Sequence, residues 1–277
     1  MDWILMDSAD ALNQIYGEME KKSSPRSGCL EWQWRDGQAF FRQRADDRSV
    51  SGCATVQASV ISGEAEYEYA IAQPQDGTHG KPMILFLHGF GERGGDPAAI
   101  LRYGPFRFLA HGGQIPAVIV APHLEQNRHW VENEAGELSN AEMERLARFL
   151  AQMQAIYQPN FERISCTGLS MGGRGTYRLA CALPRVFSAA AVCCGRAGGE
   201  SGIQEPLENL ADKRVWLFHG LQDTVVSPQR AAEVLETLLR IRPEGRFRLT
   251  LYPDVGHDCY DRAYLNGDLY SWLIDGR

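Results

Sequence analysis

Three polar residues stand just beyond short apolar runs, where a chain leaving a strand would present them. They are Ser170 in Gly168-Leu169-Ser170-Met171-Gly172, Asp223 in His219-Gly220-Leu221-Gln222-Asp223, and His257 in Asp254-Val255-Gly256-His257-Asp258. A serine hydroxyl becomes a useful nucleophile when a neutral imidazole accepts its proton, and a carboxylate can hold that imidazole in the required tautomer. Ser170 is therefore the candidate nucleophile. His257 is the candidate base and then the acid toward the leaving group, and Asp223 is the candidate orienting carboxylate. Because only the neutral ring takes a proton, the rate is expected to rise with pH through the titration of that histidine.

The spacing around the serine has a steric logic. A G-x-S-x-G at a sharp strand-to-helix turn holds the serine at strained backbone angles, with the flanking chain too close for side chains at 168 and 172. The helix beginning at Met171 then offers its backbone N–H to a developing oxyanion. A second donor is expected from the loop after Met83–His88 (MILFLH), and Phe90 is the residue chosen. On its own the motif also reads as a glycine-rich turn. Asp254 and Asp258 compete with Asp223 for the acid role, but they lie too close to His257 in sequence to come from a separate strand end. His88 and His219, at strand ends, read as structural or pocket-lining. His123, His129 and Glu92 lack a metal-ligand spacing such as H-E-x-x-H, so no metal is expected.

The elements that must position these groups follow from periodicity. Met83–His88, 117–121 (AVIVA), the run before Ser170, 189–194, 215–219 (VWLFH) and 248–252 are continuous apolar stretches, the mark of strands buried on both faces. Between them lie amphipathic patterns that predict helices at 140–157, from 171 to about 183, at 228–241 and at 263–274. Residues 55–72 alternate and are split by Ser62-Gly63, predicting two antiparallel edge strands. The alternation implies an α/β fold with a mainly parallel, doubly wound sheet and helices on both faces, in which sites form at the carboxyl ends of strands.

Residues 1–54 are expected to be an extension packed on a main domain at 55–277. An amphipathic helix is predicted over Asp7–Lys22, with Leu12, Ile15, Tyr16 and Met19 on one face, ended by the polar KKSSPRSG. Trp32, Trp34, Phe40 and Phe41 alternate about Asp36-Gly37, which predicts a hairpin.

The composition narrows the partners. A formal charge of −7 in 277 residues argues against a nucleic-acid or anionic-membrane footprint and favours small neutral substrates. The apolar run Trp3–Met6 is too short for a secretory signal and no stretch reaches membrane-span length, so a soluble cytoplasmic protein is expected. Seven scattered cysteines without a C-x-x-C suggest buried thiols rather than disulfides or zinc ligands; Cys259, close to His257, is the one candidate for a reactive thiol. Oligomeric state is not legible.

Four segments together, LHGFGERGGD (Leu87–Asp96), TGLSMGGRGTY (Thr167–Tyr177), FHGLQDTVV (Phe218–Val226) and YPDVGHDCYDRAY (Tyr252–Tyr264), resemble the bacterial esterases and predicted peptidases of the α/β-hydrolase superfamily, near the dienelactone hydrolase and prolyl oligopeptidase groups. The chain order Ser, Asp, His is the one found in that superfamily. The resemblance spans about residues 56–277 and implies cofactor-free, serine-dependent hydrolysis of carboxylic esters through an acyl-enzyme. Residues 1–54 have no counterpart in it. Gly195–Arg214 is short where larger lipases and peptidases of the superfamily insert a lid, so no large cap domain and an open pocket are expected. Trp130 and Tyr260, with Phe90 and Met171, are the expected apolar lining. The expected activity is that of a carboxylesterase on small, short-acyl esters. An aminopeptidase or oligopeptidase uses the same triad on another leaving group, and a noncatalytic binding protein on a hydrolase fold is the reading from a different class.

Overall fold

The computed structural model describes residues 2–21, 28–44, 58–63, 65–132, 137–198 and 202–275. The polar break at 22–27, Cys53, the 54/55 boundary and the strand start at 55–57 lie outside the described residues. The chain opens with β1 (Ile4–Met6), α1 (Ser8–Glu20) and the hairpin of β2 (Cys29–Arg35) and β3 (Gln38–Arg44). Asp7 caps α1 by accepting from the Ala9 N–H at 2.7 Å. Asp36 and Gly37 both take left-handed φ, 52° and 75°, as a two-residue hairpin whose twist matches its strands requires. Next come β4 (Ala58–Ile61), β5 (Tyr69–Ala72), β6 (Met83–Leu87), α2 (Gly104–Ala110), β7 (Val118–Pro122) and α3 (Asn140–Tyr157). The remainder is β8 (Ile164–Leu169), α4 (Met171–Ala182), β9 (Ala189–Cys193), β10 (Arg214–Gly220), α5 (Gln229–Ile241), β11 (Arg246–Tyr252), α6 (Tyr260–Ala263) and α7 (Gly267–Ile274).

All described strands join one sheet in the order β1-β3-β2-β11-β10-β9-β8-β6-β7-β5-β4. The six from β11 to β7 run parallel, and every residue of β6 to β10 is buried, which is why their sequences carry no polar alternation. The antiparallel pair β4–β5 closes one edge against β7. The other edge is built by the N-terminal residues, since β2 pairs antiparallel with β11 and carries β3 and β1 beyond it. The described residues of β1, β2 and β3 thus join the rest of the chain through strand pairing.

Two apolar layers fill the two faces. Residues of α1, α3, α4 and α5 pack on one face, and residues of α2 and α7 on the other. Trp32 and Trp34 are fully buried beneath α1, and their indole N–H groups donate to Gln14 Oε1 and Ser8 Oγ, so both large rings bury without an orphaned donor.

Two local expectations are revised. The predicted closing helix at 263–274 begins later, at Gly267, because the Asn266 side chain accepts from the Asp268 N–H at 3.1 Å and caps α7, while α6 ends at Ala263. No helix is predicted at Gly104–Ala110, yet α2 forms there with Pro105 in its first turn. Among the described residues, the connection from β9 to β10 contributes only a 3₁₀ turn at Leu207–Leu210, and no helix is long and apolar enough to cross a membrane.

Candidate active site

The carboxyl ends of β6, β8, β10 and β11 lie along one edge of the parallel core, with β9 between β8 and β10, and backbone hydrogen bonds tie the loops that leave them. Ser170 N–H donates to the Cys193 carbonyl at 2.9 Å, Leu221 N–H to that of Tyr252 at 2.9 Å, and Gln222 N–H to that of Val255 at 2.9 Å. The third contact brings the turn carrying Asp223 against the turn carrying His257. Gly220 is what allows this approach, since a Cβ there would overlap the carbonyls of Gly256 and Val255.

Ser170 sits at φ 52°, ψ −114°, a conformation costing on the order of 1–3 kcal/mol for a residue with a side chain. The surrounding chain enforces it: a Cβ at Gly172 would fall into the Leu87 carbonyl, so the start of α4 presses directly on the end of β6. From this apex the Ser170 Oγ lies 2.8 Å from His257 Nε2, and His257 Nδ1 lies 2.8 Å from Asp223 Oδ2. The His257 side chain is 24% exposed whereas that of Asp223 is 0%, so the hydroxyl end of the array opens to solvent and the acid end is sealed.

Asp223 is an ion in a buried place. Burial alone would raise its pKa. Four donors outweigh that and hold it well below the usual carboxylate range: His219 and His257 on Oδ2, and the backbone N–H groups of Val226 and Val225 on Oδ1 at 2.9 and 2.8 Å. The rival carboxylates are elsewhere. Asp254 pairs with Arg262 at 2.7 Å, and Asp258 is exposed. Cys259 is fully buried and burial pushes its thiol up, which opposes a thiolate role.

Phe90 and Met171, the residues chosen as oxyanion donors, each open a helical turn, Phe90 that of the short 3₁₀ segment Phe90–Glu92 and Met171 that of α4. Neither backbone N–H therefore has an intrahelical acceptor. The Phe90 loop is fixed from below. The His123 Nε2–H donates to the carbonyls of Glu92 and Gly94 at 2.9 and 3.1 Å, Arg93 donates to the Arg128 carbonyl at 2.9 Å, and its guanidinium lies 3.6 Å over the Phe90 ring. His123 is thereby a loop clamp, a role for which the sequence carries no spacing signal.

The aromatic lining needs one correction. Trp130 is 1% exposed, its indole N–H donates to the His88 carbonyl at 2.8 Å, and it packs against Gly175 of α4. It supports the elbow from beneath and cannot line an open cleft. Tyr260 remains half-buried beside the His257 turn, edge-on to Tyr103. The exposed apolar side chains nearby are Phe90 at 58% and Val225 at 70%.

His88 closes the base of the donor loop. Its Nδ1–H donates to the Gly89 carbonyl at 2.8 Å and its Nε2 accepts from the Leu124 N–H at 3.1 Å, so both nitrogens are engaged in the neutral form. Burial, with smaller contributions from His123 and Arg93, lowers its pKa from 6.5 to about 4. The unfolded chain therefore binds a proton that the folded chain refuses between those values, and stability falls as pH drops through the window. The loss approaches about 3 kcal/mol near its lower end. Urea unfolding at neutral and mildly acidic pH should show this slope in the wild type and a flatter one in His88→Asn; equal slopes would exclude His88 as its source.

No protein-family model matches the chain, and no curated protein matches it in sequence. Solved structures do match in fold. A thermostable esterase aligns with a TM-score of 0.59 at 23% identity, over 85% of this chain and 66% of its own, so the chain spans just under two thirds of that protein. The fluorophosphonate-binding serine hydrolase F of Staphylococcus aureus aligns at TM-score 0.58 and 15% identity, over 81% of this chain and 100% of its own. An acetyl xylan esterase from Aspergillus awamori gives 0.57 and 14%, over 79% and 99%. Strand order, parallel core and these neighbours define one architecture: the chain has the α/β-hydrolase fold, with no large cap among its described residues.

Proposed function

We propose that the chain is a serine hydrolase, and within that class a carboxylesterase acting on small, short-acyl esters. The observation that carries this reading is the unbroken path from Asp223 Oδ2 through His257 to Ser170 Oγ, two hydrogen bonds of 2.8 Å drawn from three different strand ends. In the reaction, Ser170 Oγ attacks the ester carbonyl as its proton passes to His257 Nε2. The resulting imidazolium is stabilised by the buried Asp223 carboxylate. The oxyanion is held by the N–H groups of Phe90 and Met171. Collapse breaks the bond to the alcohol oxygen, which leaves with the proton from His257. Water then repeats the sequence on the acyl-enzyme, giving the free acid and restoring the serine.

The substrate size rests on the entrance. Between β9 and β10 the described chain adds only a 3₁₀ turn, and among the described residues the apolar groups beside the site, Phe90 and Val225, are mostly exposed, which supports a shallow entrance suited to short acyl chains. The names of the structural neighbours, esterases and a fluorophosphonate-binding hydrolase, agree with the ester class. In this reading residues 55–277 carry the chemistry and 1–54 are an extension, whose strands β1, β2 and β3 complete one sheet edge.

The test is a panel of p-nitrophenyl esters from acetate to palmitate beside aminoacyl p-nitroanilides. Turnover should be greatest for acetate and butyrate, decline with acyl length, and be far slower on the anilides. Faster anilide cleavage would assign a peptidase instead, and a folded protein inert on both would remove the hydrolase reading.

A further inference from the structure

We propose that His219 is a positioning residue for Asp223, holding the same carboxylate oxygen that orients the His257 ring. The inference deepens the hydrolase reading above and rests on it. His219 is fully buried at the end of β10, four residues before Asp223. Its Nε2 lies 3.1 Å from Asp223 Oδ2 and 2.9 Å from the Val226 carbonyl oxygen. Both partners can only accept, so Nε2 carries the hydrogen. Among the described residues, Nδ1 is buried without a hydrogen-bond partner. All of the ring's hydrogen bonding is therefore directed at the acid and at the acid's own turn, which is not what a side chain serving packing alone requires.

The carboxylate is gripped symmetrically as a result. Oδ1 takes the N–H groups of Val225 and Val226, and Oδ2 takes His257 and His219. Val226 is bound twice, its N–H by Asp223 and its carbonyl by His219, so one imidazole closes the turn and fixes the carboxylate plane together. Two functional consequences follow. The His257 ring is aimed at Ser170 by an oxygen that cannot swing, and the negative charge on that oxygen is shared between two donors. Without His219 the charge bears on His257 alone, the imidazolium is favoured, and the neutral base appears only at higher pH. The other ionisable groups facing this pair, the thiols of Cys194 and Cys259, are held protonated by burial and do not compete.

The test measures the second-order rate at which an alkyl fluorophosphonate labels Ser170, across about pH 5 to 8, because this reads the basicity of His257 without knowledge of the natural ester. His219→Phe keeps a ring and loses the N–H; His219→Met replaces it should the phenyl ring prevent folding, judged by circular dichroism. His219→Gln retains an N–H that can reach Oδ2. The expected result is labelling slower by on the order of tenfold or more in the apolar variant, with the acidic limb moved to higher pH, and substantial recovery of both in His219→Gln. A profile in the apolar variant that superimposes on the wild type would overturn the proposal. So would an equal slowing in both variants with no movement of the limb, which is the signature of packing alone. A wild-type protein that is folded yet unlabelled would instead overturn the hydrolase reading on which the role rests.

Discussion

Ser170→Ala and His257→Ala should each lower ester turnover by on the order of a millionfold, and the double variant should be scarcely worse than either. The non-additivity is the informative part. The hydroxyl at 2.8 Å from His257 Nε2 is useful only while the imidazole can take its proton, and the imidazole activates a water only after Ser170 has been acylated. Removing either end leaves the same residue of catalysis, which comes from binding and the oxyanion donors. Asp223→Asn should cost less, on the order of ten-thousandfold, since His257 remains but its tautomer is no longer enforced. Steady-state kinetics on p-nitrophenyl acetate, with circular dichroism to show that each variant is folded, measures all four. Strictly additive losses in the double variant would mean that serine and histidine act separately.

The second large effect is expected from Phe90→Pro, which removes the backbone N–H together with the exposed ring, set beside Phe90→Ala, which removes the ring alone. Phe90 is the first residue of its 3₁₀ turn, where the N–H has no helical acceptor and proline is tolerated. The preceding Gly89 already has extended backbone, φ −79° and ψ −172°, which a following proline accepts. The His123 bond to the Glu92 carbonyl and the Arg93 bond to the Arg128 carbonyl remain in place, while the stack of Arg93 on the ring is lost in both Phe90→Pro and Phe90→Ala. The substitution should therefore lower kcat by about a hundred- to a thousandfold, the effect of one oxyanion donor. Phe90→Ala, which removes the exposed ring but keeps the N–H, should act mainly on KM. If Phe90→Pro changes only KM, the second donor is not Phe90.

Much of this arrangement could be read before the structure, and the reasons differ by element. The parallel strands were legible because burial on both faces removes polar alternation, and Ser170, Asp223 and His257 stood out as polar residues just past such runs, each within three residues of a glycine. Gly220 and Gly172 carry the same information in steric form, as places where two turns or a helix and a strand touch. Trp130 misled because an aromatic in a loop beside His129 resembles a pocket wall; that its N–H reaches the His88 carbonyl depends on folding around the elbow. The pairing of β2 with β11 could not be seen, since strand alternation specifies a face and not a distant partner. His219 lay four residues from Asp223 in plain view, but its bond to Oδ2 depends on the turn that Val226 closes.

The central claim is that Ser170 is the nucleophile, and covalent labelling addresses it most directly. Incubation with an alkyl fluorophosphonate followed by peptide mass spectrometry should give a single adduct on Ser170, abolished in Ser170→Ala and strongly slowed in His257→Ala. A folded wild-type protein that takes no adduct, or an adduct that persists elsewhere when Ser170 is alanine, would contradict the account.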